Sequence, residues 1–209
     1  MMHEIYEMPI PQHMCGLPRD LRNRPVPWFA WRDDDGVAHV TILDQEKWHH
    51  AVHDNLCWIC GCPLDCLKTF VLGPINVITR TTTEPPSHPG CAKYAMCGCP
   101  FLSNPARGRK PVPERYIEPD PVIGHDGRRP APNPGIFALW TTRSYELGLL
   151  RNQLAIIIGD PVHVAWWTRG RRATGAELQA AQAVARGFFP EQGKAGEPLQ
   201  LGANDSLSS

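Results

Sequence analysis

Long apolar runs are missing from this chain. The longest, such as residues 154–159, are far too short to cross a bilayer. The opening MMHEIYEMPIPQ has no basic segment followed by an apolar stretch, so no secretory leader is expected. Charge of one sign is missing too. Lys+Arg and Asp+Glu number 21 each, for a formal net charge of +0. Binding to a polyanion would therefore have to come from a local patch. Catalytic signatures are also sparse, with no Gly-x-Ser-x-Gly elbow and no phosphate-binding glycine loop. These absences predict a cytoplasmic protein with no membrane partner and no evident small-molecule substrate, and they lean away from an enzyme.

What the chain has is cysteine and proline. Eight cysteines in a chain expected to stay in a reducing compartment are better explained by metal than by disulfides. CWICG at 57–61 supplies a Cys-x2-Cys pair, and HPGC at 88–91 supplies a His-x2-Cys pair. Ligands at i and i+3 on a tight turn, or on the first turn of a helix, converge on one ion. Two such pairs close a tetrahedron of thiolate sulfurs and an imidazole nitrogen. Cys57, Cys60, His88 and Cys91 are therefore the predicted ligands of one structural Zn²⁺. Four protein ligands leave no open position, so the spacing speaks for scaffolding and says little about activity. Cys62, Cys66, Cys97 and Cys99 could form a second all-sulfur site or be spare thiols, and they stay outside the ligand set. Cys15 is expected to be a free thiol.

The remaining pattern predicts an α+β protein. Residues 1–24 read as a partly ordered arm. VPWFAWR (26–32) and VAHVTIL (37–43) flank Asp33-Asp34-Asp35-Gly36 and predict a hairpin with a solvated turn. Asp44 caps a predicted helix over 45–56. His49, His50 and His53 share that helix. His50 stands where a metalloprotease needs Glu, so these histidines are read as exposed polar positions. KTFVL (68–72) and INVITRT (75–81) predict two strands turning at Gly73-Pro74, and Ser87 an N-cap for a short helix starting at His88. Knuckle, hairpin and ligand-bearing helix resemble a treble-clef zinc finger over about residues 56–100. Nine of the 22 prolines fall in residues 100–134, so 105–134 is expected to be a linker between the 25–104 and 135–190 regions. Strands are expected at 135–143, 153–159 and 162–167, the last two turning through Gly159-Asp160-Pro161. A capping box, Thr174 with Glu177, opens a C-terminal helix, and 191–209 reads as a disordered tail.

The local basic patch is Trp166-Trp167-Thr168-Arg169-Gly170-Arg171-Arg172. Arg169, Arg171 and Arg172 are candidate phosphate contacts, with Trp167 a candidate base-stacking residue. The competing reading makes this a strand-to-helix turn whose tryptophans anchor the core. An HNH-like nuclease is the less favoured enzyme reading, because residues 67–86 contain neither His nor Asp to activate water.

LPRDLRNRPVPWF (17–29), CWICG (57–61), FVLGPINVITRTTTEPPSHPGCAKYA (70–95), CPFL (99–102) and WWTRGRRATGAEL (166–178) together resemble a family of uncharacterised bacterial and phage proteins. The resemblance spans most of residues 17–187. It implies a phage or prophage setting, supports the four zinc ligands and supplies no reaction. The combined expectation is a zinc-binding accessory protein that acts by binding, with DNA or RNA the first candidate partner and a protein the second.

Overall fold

The computed structural model describes residues 8–104, 106, 133–150 and 153–187. The expected 105–134 linker, apart from its ends, and the 191–209 tail lie outside them. The architecture is mixed α+β, with every strand pairing antiparallel. No helix among the described residues is long and apolar enough to cross a membrane.

The first hairpin pairs β1 (Ala30–Arg32) with β2 (Ala38–Leu43). Its acidic turn is held from within: Asp33 Oδ1 accepts from Val37 N at 2.8 Å, and Oδ2 meets His39 Nε2 at 2.7 Å. Helix α1 (Gln45–His53) starts as expected, with the Asp44 side chain accepting from Lys47 N. It buries Trp48, Ala51 and Val52.

The central sheet runs in the order β3 (Lys68–Leu72), β5 (Phe137–Thr142), β8 (Pro161–Thr168), β9 (Arg171–Arg172). All six residues of β5 are buried, because both faces of the strand are covered. On one face Phe70, Leu72, Ala138, Trp140 and Trp166 pack with Trp48 and Val52 of α1. On the other, Phe137, Leu139, Ala165 and Trp167 pack with Ala92, Met96 and Cys97 of α3 (Pro89–Gly98). A short helix, α4 (Pro100–Ser103), follows directly.

Three expectations are corrected here. Residues 75–81 do not form a strand, so the hairpin predicted with 68–72 is absent. Instead α2 (Pro74–Thr79) follows Gly73, and only Thr81–Thr82 (β4) are extended. Pro74 at the first helical position has its φ already set and gives up no needed N–H. Val77 is the one α2 side chain buried, so the β-branched run makes a single inward contact rather than an alternating face.

The second correction is β6 (Tyr145–Leu150), which pairs with β7 (Gln153–Ile158) and was not expected. Gly148 weakens the strand signal, yet its missing side chain is needed. A Cβ there would sit 2.7 Å from Ile157 Cδ1.

Third, β7 and β8 do not pair through Gly159-Asp160-Pro161, since β7 belongs to a separate sheet of order β4-β7-β6. Trp140 Nε1 donates to Gly159 O at 3.0 Å, and Thr142 Oγ1 donates to Asp160 O at 2.7 Å. Those carbonyls are thus spent on the central sheet, and Pro161 has no N–H with which to begin a hairpin ladder.

The last helix, α5 (Gly175–Gly187), opens with the expected capping box. Thr174 N donates to Glu177 Oε2 at 2.9 Å and Glu177 N donates to Thr174 Oγ1 at 3.3 Å.

Candidate metal centre

Cys57, Cys60, His88 and Cys91 come together as the sequence spacing requires. Their ligand atoms all lie within 4.8 Å of one another, and all four residues are buried. Among the described residues this is the one group of three or more such side chains.

Backbone geometry builds each half. Leu56 and Pro63 form an isolated antiparallel bridge, closing the chain into a knuckle around CWICG. Inside it Cys57 N donates to Cys62 O and Gly61 N donates to Cys57 O, both at 2.8 Å. Gly61 takes φ +74, a left-handed conformation suited to glycine, and the Trp28 ring lies where a Cβ would be. The second half is the start of α3. His88 is its N-cap, Pro89 opens the first turn and Cys91 follows on that turn. Sulfur at a helix N-terminus lies where the helix dipole favours negative charge. Thr69 of β3 and Ser87 exchange both backbone hydrogen bonds, at 2.8 and 2.9 Å. That bridge locks the helix start to the central sheet.

The distances fit a tetrahedral Zn²⁺. Zn–S and Zn–N bonds of about 2.3 and 2.0–2.1 Å imply sulfur–nitrogen edges of roughly 3.6 Å. Here Cys60 Sγ and Cys91 Sγ lie 3.4 and 3.9 Å from His88 Nδ1. His88 Nε2 donates to Pro63 O at 3.0 Å, which leaves Nδ1 as the free lone pair facing the sulfurs. Cys57 Sγ accepts from the backbone N–H of Cys60 and of His88, at 3.5 and 3.4 Å.

Thiol chemistry gives the same answer. Hydrogen bonds from the Cys60 and Cys91 thiols hold Cys57 far below the ordinary thiol range. Sharing a proton with Cys57 in turn pushes Cys60 up to about 12. Cys91 is driven upward by both neighbours. Three sulfurs this close oppose one another's ionisation, and a divalent cation removes the conflict for all three.

The N-terminal arm supplies residues that sequence reasoning missed. Met14 is buried against Cys57, Cys60 and Cys91, with Ile10 and Leu17 beside it. The His13 ring stacks on His88, with centroids 4.2 Å apart and planes 6° from parallel. No spacing signal marks His13 in the sequence, because it sits in a 3-10 turn (Gln12–Met14) outside the ligand motif. This cover predicts that His13→Ala will raise the rate of zinc transfer to a colorimetric chelator severalfold, with little change in thermal midpoint. An unchanged transfer rate would show that the arm does not shield the centre.

The other cysteines do not join the site. Cys15 and Cys66 are exposed. Cys62 is half-buried and points to Cys60 O at 4.0 Å. Cys97 donates to Gly170 O at 3.3 Å, and burial raises its pKa.

The predicted basic patch falls on the turn between β8 and β9. Arg169 and Gly170 both have positive φ, +51 and +73, a primed hairpin turn that leaves Arg169, Arg171 and Arg172 exposed. Arg171 is engaged by Glu177 through two contacts, at 3.0 and 2.8 Å. Arg172 lies over the Trp167 ring at 5.8 Å. Trp167 itself is only 8% exposed and packs in the core beside α3.

No family model matches the chain, and neither does any curated protein or solved structure.

Proposed function

We propose that this protein is a zinc-stabilised accessory module of phage or prophage type that binds the backbone of DNA or RNA. The buried Cys3His centre is a scaffold, a treble-clef-like arrangement in which α2 and β4 stand where the second hairpin strand was expected. The observation that carries the reading is the link from metal to basic turn. α3 begins at His88 and Cys91, and near its far end the Cys97 thiol holds Gly170 O. The turn between β8 and β9 therefore rests on a helix whose first residues are metal ligands. Arg169 and Arg172 are the phosphate contacts in this reading, with Arg171 bound to Glu177 and Trp167 supporting the turn from below.

The test is fluorescence anisotropy with labelled single- and double-stranded DNA and RNA across a salt series. Each phosphate contact contributes roughly 0.7–0.9 to the salt slope, so Arg169→Ala/Arg172→Ala should lower it by about two. Affinity should fall for all sequences alike. Absence of binding at low salt, or a double variant indistinguishable from the parent, would refute this reading.

A protein partner is the second reading, and one observation favours it. β6 is the edge of its sheet, and Leu149 on it is 74% exposed with Leu147 nearby. An apolar sheet edge is suited to strand addition. A nuclease-resistant protein complex lost on substituting Leu149 would support it.

A further inference from the structure

The three histidines of α1 are of two kinds. His50 turns Nδ1 to the Asp54 carboxylate, 2.6 Å away, and is held there. His49 and His53 are exposed and face one another, with ring centroids 6.0 Å apart and planes 8° from parallel. The His49 ring also stands edge-on to the buried Trp48 at 5.5 Å, which places one side of the pair against the protein body.

Residues at i and i+4 of a helix have Cβ atoms about 5–6 Å apart and project to the same side. Small side-chain rotations then bring one nitrogen of each ring onto a common ion, at bond lengths of about 2.0–2.1 Å. Neutral imidazole suits Zn²⁺, Ni²⁺ and Cu²⁺. Two further features favour a cation there. His53 ends α1, where the helix dipole is negative, and the exposed carboxylate of Glu46 lies one turn before His49. The Glu that a metalloprotease requires after its first His bears on catalysis and is not needed for chelation.

We propose that His49 and His53 form a second metal site, a surface chelate for a borderline divalent cation. It has two protein ligands, and water fills the remaining positions. It contrasts with the buried centre in the features that govern exchange: it is open and short of protein ligands. The cation it takes is therefore labile, whereas the Cys3His zinc is retained.

The test uses the full chain with its structural zinc in place, titrated with Ni²⁺ in a non-chelating buffer. Calorimetry reads affinity, and native mass spectrometry counts Ni²⁺ and Zn²⁺ separately by mass. One added Ni²⁺ per chain is expected. His49→Ala and His53→Ala should each weaken it at least about tenfold, since each removes one of two ligands. His50→Ala should leave it within about twofold, because that ring is already committed to Asp54. Zinc content should stay constant in all three variants, which are exposed positions. Failure to take up Ni²⁺, or uptake that survives loss of His49 and His53, would overturn the proposal.

Discussion

Cys57→Ser and Cys91→Ser are expected to lose zinc and to melt far below the parent protein. Apparent zinc-binding free energies of about 10–16 kcal/mol in small fingers rival or exceed the whole stability of an ordinary domain, about 5–15 kcal/mol. Even about 4 kcal/mol of that, in a chain of this size, corresponds to roughly 8–16 °C in thermal midpoint. The dependence is steep because Cys57 does more than ligate. It accepts backbone hydrogen bonds from Cys60 and from His88, so one sulfur organises both halves of the centre. Serine can accept those bonds, but it cannot supply a thiolate. Cys66→Ser is the control, since Cys66 is exposed and stands apart from the cluster. Native mass spectrometry beside a thermal melt reads both quantities. A Cys57→Ser protein that keeps a full equivalent of zinc and its melting point would show the ligand assignment to be wrong.

Gly61→Ala should be the most damaging small substitution outside the ligands. Gly61 has φ +74, and its added Cβ would meet three atoms of the Trp28 ring, the nearest at 2.7 Å. The left-handed backbone alone costs a non-glycine residue about 1–2 kcal/mol. Displacing a packed indole adds about 1–3 kcal/mol. Gly36 separates the two contributions: its φ is +76, and nothing lies within 4 Å of the Cβ position. Gly36→Ala should therefore show the backbone cost alone, about 1–2 kcal/mol. Denaturant melts of the two variants should differ by the steric part, and only Gly61→Ala should speed zinc loss to a chelator. Equal destabilisation would mean that Trp28 moves aside freely and does not brace the knuckle.

The ligand set was legible because metal coordination imposes short, local spacing on the chain. Two i,i+3 pairs announce themselves without any knowledge of tertiary structure. The capping of α1 by Asp44 and of α5 by Thr174 and Glu177 was legible for the same reason, each being settled within a few residues. Strand partners were not. The Ile75–Ile78 region reads as strand by composition, but Pro74 and the packing of Val77 fold it as helix. Likewise Gly159-Asp160-Pro161 has the composition of a hairpin turn, yet its carbonyls are taken by Trp140 and Thr142, far earlier in the chain. Trp167 reads in the sequence as a candidate for base stacking or as a core anchor, and its burial depends on Met96 and Cys97 of α3, which no local pattern brings near it. His13 was invisible for a related reason. Its ring reaches His88 only because the arm folds back across the centre.

The split between ligands and sheet also sets an order of assembly on the ribosome. Every metal ligand lies at or before residue 91, while β5, which joins β3 to the rest of the central sheet, begins at Phe137. A nascent chain thus has all four ligands and the Thr69–Ser87 bridge in hand while the hydrophobic side of β3 still awaits its neighbour. Zinc can close the early half before its sheet partner has been synthesised, holding Phe70 and Leu72 near Trp48 instead of leaving them to aggregate. On this view the ion acts as a placeholder during synthesis, and zinc starvation should reduce the yield of newly made protein well before it affects protein already folded.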